Sequence, residues 1–270
     1  MTLGISLLLV EEHGFSAIAL ESSFPRGRAV NDYVAGRGPE SYEYLREAGF
    51  SHGFGRLEAN RELVEWMREY NADGAHRGRL RFYGFDSPTE MMFADSPRQV
   101  IHFVLDYLAS IDGAGTGRDE ERQRIDRLLG QDSSWENPAS MMDPEKSVGL
   151  SPNASALRIK VEDLIAEMQV RRPELVAKSD EDRYLEAIHY AEMARQLLSY
   201  HAALASGSEP GKRIVQCLSL RDAMMADNLS YAAACEHREQ GREGGGKVLA
   251  FAHNSHLKLG KAEWQLAASI

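Results

Sequence analysis

The sequence predicts an α/β fold: a parallel-type sheet flanked by helices, with a large helical insertion. Three observations predict it. Short, nearly continuous apolar runs of strand length occur at residues 16–20, 80–85 and 248–252. They are separated by helical patterns, the order that gives parallel strands with right-handed crossovers. Each run also delivers an ionisable group at the same end: Glu21, Asp86, and the pair His253 and His256. Ligands bind at the carboxyl ends of strands in such sheets.

The elements follow in chain order. Leu3, Leu7 and Val10 mark an opening helix that Gly14 stops, because glycine accepts the left-handed conformation past a helix end. The first strand, residues 17–20, leads to Glu21, and residues 26–34 and 40–48 read as short helices. Residues 56–70 are a clear amphipathic helix, with Leu57, Leu63, Val64, Trp66 and Met67 close to the helical repeat. Residues 80–85 are the second strand, and 96–111 a helix that Ser96 caps just before Pro97.

Composition then shifts. Residues 113–117 form a glycine-rich break, 118–129 a charged helix and 131–151 a polar loop. Long helical patterns cover 152–170, 180–205 and 212–238. A second glycine-rich stretch, 241–246, precedes the last strand at 248–252. The expected domain order is 1–112 as the first part of the α/β core, 113–211 as the helical insertion, and 212–270 as the helix and last strand of the core.

With 270 residues, 43% hydrophobic and 27% charged, the chain is long enough for a large core and ordinary for a globular protein. A formal net charge of −10 argues against nucleic-acid binding and against a polybasic membrane surface, both of which need positive charge. No run reaches the roughly 20 apolar residues of a membrane span. The first ten residues lack a basic region and a small-residue cleavage site, so a cytoplasmic location is expected. Cys217 and Cys235, on one predicted helix, would lie about 27 Å apart and could not bridge.

His253 and His256, three apart after a strand, can turn toward one pocket, and imidazole titrates where proton transfer to water or an alkoxide needs it. The competing reading is a pair of polar residues capping a short helix. His-x-x-His is not the zinc-protease pattern, which needs His-Glu-x-x-His. Glu21 is costly at a strand end unless paired or solvated. It could orient a histidine, hold a proton or bind a metal, or it could simply pair with Arg26 or Arg28. Asp86 could line the site or cap the turn before Pro88. Arg221, Met224, Met225 and Asn228 share one helix face suited to a polar pocket. His52, in a loop with two glycines, is a further pocket residue. His13, His76, His102, His189, His201 and His237 read as structural or surface residues. No Gly-x-Ser-x-Gly elbow, Walker loop or dinucleotide fingerprint is present, so no cofactor is implied.

Taken in order, five segments resemble the erythromycin esterase family. They are Gly14-Phe-Ser-Ala-Ile-Ala-Leu-Glu21 with Val30-Asn-Asp-Tyr-Val34; Glu65-Trp-Met-Arg-Glu-Tyr-Asn71; Phe82-Tyr-Gly-Phe-Asp86; Arg221-Asp-Ala-Met-Met-Ala-Asp-Asn228; and Ala252-His-Asn-Ser-His256. The resemblance implies hydrolysis of a carboxylic ester, in the best-known members a macrolide lactone, and hence a part in antibiotic resistance. Water is activated by histidine, with neither a serine nucleophile nor an agreed metal. It assigns Glu21, His253 and His256 as catalytic; Asp86, Arg221, Asn254 and His52, read from their positions in the chain, are expected around a small-molecule ester substrate.

Family members also carry a Gly-Glu-x-x-His-Gly loop, whose histidine is the proposed base, upstream of what is the first helix here. Its absence from these 270 residues raises the expectation of a truncated, impaired enzyme. It also raises that of an exposed sheet edge favouring self-association. Two alternatives accompany the hydrolase: an inactive small-molecule-binding homologue, and a metal-dependent hydrolase using Glu21, Asp86, His253 and His256 as ligands to zinc or manganese.

Overall fold

In the computed structural model, residues 3–76, 78–90, 93–113, 117–238 and 246–257 are described. The glycine-rich stretch 241–245, residues 114–116 of the predicted break, and the tail from residue 258 lie outside them. The elements are α1 (Leu3–His13), β1 (Phe15–Ser23), α2 (Phe24–Val34), α3 (Leu45–Ala48), α4 (Glu58–Ala72), β2 (Arg81–Asp86), α5 (Arg98–Asp112), α6 (Arg118–Leu129) and α7 (Asp132–Trp135). They continue as α8 (Pro152–Val170), α9 (Arg172–Lys178), α10 (Glu181–Leu204), α11 (Pro210–Arg238), β3 (Lys247–Phe251) and α12 (Asn254–Leu257).

The chain divides into two compact units, residues 1–87 with 225–270, and residues 88–224. The second unit is larger than residues 113–211: α5 and the first half of α11 belong to it, because α5 packs along α10. Periodicity reveals a buried face but not which neighbour buries it.

In the first unit the described strands form one parallel sheet in the order β2-β1-β3. Central β1 is buried from Ser16 to Ser23, as expected of a nearly continuous apolar run covered on both faces. Ile18 and Leu20 join a core with Val30, Tyr33 and Val34 of α2 and Leu63, Val64 and Met67 of α4. Ala19 packs with Phe85 and Met225 in a second cluster. Helix α2 lies directly on β2: a methyl group on Gly27 would fall 2.3 Å from the Gly84 amide nitrogen, so only glycine permits that approach.

Two motif asparagines stitch helices to β2. Asn31 Oδ1 accepts from Phe82 N (3.0 Å), and Asn71 Oδ1 accepts from Leu80 N (2.7 Å). Asn71 Nδ2 donates to Val34 O and Leu80 O.

In the second unit α10 packs against α5, α8 and α9. Arg118 and Arg171 join Asp112 and Glu167 in an ion-pair network. Hydrogen bonds from Arg171, then Arg118, hold the Asp112 carboxyl down at about 2. Pro97 occupies the cap position of α5, and Ser96 Oγ accepts from Arg98 N (3.4 Å) at the helix start; the Ser96 hydroxyl also donates to Asp132 Oδ1 (2.6 Å), a longer-range partner that spacing cannot reveal. Cys217 and Cys235 are free thiols. No helix among the described residues is long and apolar enough to cross a membrane.

Candidate active site

The site is built where β1, β2 and β3 end. Glu21 lies within β1 rather than beyond it, because the strand continues through Ser22 and Ser23. Ser51 N donates to Ser22 Oγ (2.9 Å), and Ser23 N donates to Ser51 Oγ (2.8 Å). The end of β1 is thereby tied to the loop before α4. Ser23 Oγ is itself buried without a hydrogen-bond partner among the described residues.

Glu21 is 9% exposed. Nearby, Arg26 Nη1 donates to Phe50 O (3.2 Å). One carboxylate oxygen accepts from His253 N at 2.5 Å, across 232 positions of sequence. The other lies 3.4 Å from His256 Nε2. Both side chains of that ion pair are largely buried, so their attraction is screened less than on the surface. His256 is held in place by the single turn α12, whose first bond runs from His256 N to His253 O (2.9 Å). With Nε2 directed at the carboxylate, a neutral ring presents Nδ1 as its basic nitrogen. His253 donates to Glu21 from its main chain, and the residue itself is exposed, as is Asn254.

A second carboxylate–imidazole pair stands one strand away. Asp86 is fully buried, and its Oδ2 lies 2.9 Å from His52 Nε2. Its Oδ1 accepts from Ser87 N (2.7 Å) and Ser87 Oγ (3.3 Å). Asn228 of α11 fastens this strand end by donating Nδ2 to Phe85 O (3.1 Å) and Asp86 O (3.3 Å). His52 takes a left-handed backbone (φ 56°), followed by Gly53 at φ 70°. For a non-glycine residue that conformation costs about 1 kcal/mol and has to be held by its surroundings.

Profile comparison matches the erythromycin esterase family across residues 10–269. The chain belongs to that family. Among curated relatives, erythromycin esterase type II of Escherichia coli is 23% identical over 250 residues, covering 92% of this chain and 54% of the relative. Among solved structures, a Bacillus cereus protein superposes with a TM-score of 0.65 at 18% identity, covering 94% of this chain and 52% of the other. A mutant of the erythromycin esterase EreC in its open conformation superposes at 0.61 and 17% identity, covering 93% and 56%. The chain thus spans about half the length of the relatives it matches, and the structural likenesses establish a shared fold.

Of the residues expected at the site of this family member, the fold brings Glu21 together with His253 and His256, and Asp86 together with His52. Arg221 is half-buried on α11 within the helical unit. Its helix-mate Asn228 contacts the end of β2, while Met225 packs in the core. The residues that sequence reasoning missed are Ser22, Ser51 and Ser87. Their contacts join segments 28 or more positions apart or depend on one loop conformation, and no spacing signals them. Among the described residues no group of three or more His, Cys, Asp or Glu is arranged to hold a metal ion.

Proposed function

We propose that this erythromycin esterase family member hydrolyses carboxylic esters, macrolide lactones among them, by proton transfer through the Glu21–His256 pair. One observation carries the reading: a buried carboxylate of β1 meets an imidazole from the end of β3 at a strand terminus where substrates bind. The names of the relatives support the ester and the macrolide.

In the proposed reaction His256 takes a proton from water as the water oxygen bonds to the ester carbonyl carbon. Glu21 stabilises the imidazolium that results, as a carboxylate behind a catalytic histidine does. Collapse of the tetrahedral intermediate breaks the bond to the leaving alkoxide, which receives the proton, giving acid and alcohol. Glu21 also accepts from His253 N, so it fixes both ends of the His253–His256 turn and acts as a positioning residue as well. His52 and Asp86 border the same strand ends and would contact the bound ester, with Asn254 and Arg221 as further candidates for substrate contact. The reading includes a cytoplasmic location and pairing of two copies through the β3 edge of the sheet, which light scattering on the full chain tests.

The test is turnover of erythromycin and of simple esters, followed by mass spectrometry for products heavier by one water. Loss of turnover in Glu21→Gln and His256→Ala, with folding intact, supports the reading. Macrolide binding by calorimetry with no product in the unmodified chain would favour a binding homologue. Activity abolished by a chelator and restored by zinc would favour the metal-dependent hydrolase.

A further inference from the structure

Beside these strand ends lies a pocket of about 180 Å³. Its walls include Leu20, Phe54, Leu57, Leu63 and Phe251, with Ala59 at the start of α4. The one polar lining residue is Asn60, and its Nδ2 is engaged with Phe54 O (3.0 Å). The floor is closed, since Leu20 and Leu63 are buried, while Leu57 at the rim is 51% exposed.

Three wall residues tie the pocket to the proton-handling groups. Leu20 directly precedes Glu21 on β1. Phe251, paired with Leu20 across the sheet, stands two residues before His253. The Phe54 ring packs edge-on against the His52 ring, with centroids 5.9 Å apart. A group seated between Leu20 and Phe251 would therefore lie next to the strand ends, on the side where Phe54 meets the His52 ring.

We infer that this pocket is a subsite for one unbranched hydrocarbon arm of the ester, about six carbons long. The inference rests on the hydrolase reading for the word ester, but not for the pocket. Size sets the class of ligand: an apolar cavity of about 150 Å³ holds a benzene ring, and pockets for drug-sized ligands run from about 300 Å³ upward. A macrolactone ring does not fit inside these walls, whereas a short alkyl chain does. The lining has no available charge and would reject a charged arm, whose desolvation nothing here repays.

Two ester series on the full 270-residue chain test this: p-nitrophenyl esters from acetate to dodecanoate, and acetates of the matching alcohols. The arms distinguish whether the acyl or the alcohol chain enters. In one series kcat/KM should rise up to about fourfold per methylene, and level off near six carbons. Ala59→Trp, a change at an exposed helix position, should bring the hexanoate-to-acetate ratio down toward one. Leu57→Ala should move the optimum to longer chains. Saturation-transfer NMR with 1-hexanol reads the pocket without any turnover. Binding to the unmodified chain that Ala59→Trp abolishes supports the subsite even where no ester is hydrolysed, and in that case only the hydrolase reading falls. Flat series together with absent hexanol binding, or responses that Ala59→Trp leaves intact, overturn the subsite.

Discussion

The two ends of the sheet each bury a glutamate among polar groups. At the amino end, Glu236 of α11 is fully buried; it accepts from the Ser16 hydroxyl and from Tyr83 OH (2.9 Å), with Arg81 Nη1 at 3.4 Å. Burial and the charge of Glu236 hold the Tyr83 phenol well above its ordinary range. At the carboxyl end, Glu21 meets a main-chain N–H and an imidazole. Hydroxyl, phenol and guanidinium donors stay protonated at neutral pH, so the Glu236 cluster can only hold strands together. An imidazole can give up or accept a proton, so the Glu21 cluster can do chemistry. The difference lies in the partners, not in the burial of the carboxylate.

The largest effects should separate along that line. Glu236→Ala strips three donors of their acceptor and should cost about 3–5 kcal/mol in urea denaturation. Hydrolysis per folded molecule should stay within about tenfold of the unmodified chain. Glu21→Gln should lower ester hydrolysis by about 10²–10⁴-fold, while stability changes by no more than about 1 kcal/mol. Equal loss of stability in both variants, with hydrolysis untouched, would make Glu21 a second structural carboxylate and erase the contrast.

Within the carboxyl-end cluster, His256→Ala should cost about 10²-fold in hydrolysis. His253→Ala should cost less than about tenfold, because the group of His253 that reaches Glu21 is the peptide N–H, which alanine keeps. The reverse order of effects would transfer the proton-handling role to His253.

Two glycines extend the comparison to the backbone. A methyl group on Gly84 would lie 2.3 Å from Ser23 O and 2.6 Å from Ser22 O, main-chain atoms next to Glu21. On Gly246 it would meet the Ser16 hydroxyl at 2.0 Å, a side-chain atom at the opposite end. Gly84→Ala should therefore cost about 2 kcal/mol and reduce hydrolysis as well, by pushing the end of β1 away from β2. Gly246→Ala should cost about 1 kcal/mol, the worth of the Ser16–Glu236 bond, and leave kcat/KM unchanged.

How much of this was readable beforehand depends on the range of each interaction. Apolar runs announced β1, β2 and β3 because burial on both faces leaves a mark in every residue of a strand. Glu21 and His256 stood out as candidates for the same reason: an ionisable residue ending such a run needs a partner or solvent. The His52–Asp86 pair was not legible, since it depends on a left-handed backbone at His52 that no local preference demands. Nor was the extension of β1 through Ser22 and Ser23, where Ser51, 28 or 29 positions away, engages the Ser22 hydroxyl and the Ser23 N–H. Ser96 was legible only in part: its Oγ accepts from Arg98 N at the start of α5, as the local signal suggests, but its bond to Asp132, 36 positions away, leaves no mark in the spacing.

His201, in the helical unit, isolates what burial alone does to an imidazole. It is 1% exposed, its Nε2 lies 2.9 Å from Asp95 O, and its Nδ1 has no partner among the described residues. Among the described residues no carboxylate partners it as Glu21 does His256, and burial pushes it down to about 4. An unfolded histidine takes up its proton near 6.5. Between those values the unfolded chain holds more protons than the folded one, so stability must fall as pH drops through that window. Between pH 7.5 and 5.5 the loss should be about 1 kcal/mol. Trp135, with its ring 5.0 Å from that of His201, reports it by fluorescence during urea denaturation. His201→Gln keeps an amide N–H for Asp95 O and removes the titration, so its stability should be flatter over the same range. An unchanged slope in that variant would mean that other groups, not this buried ring, set the acid response of the helical unit.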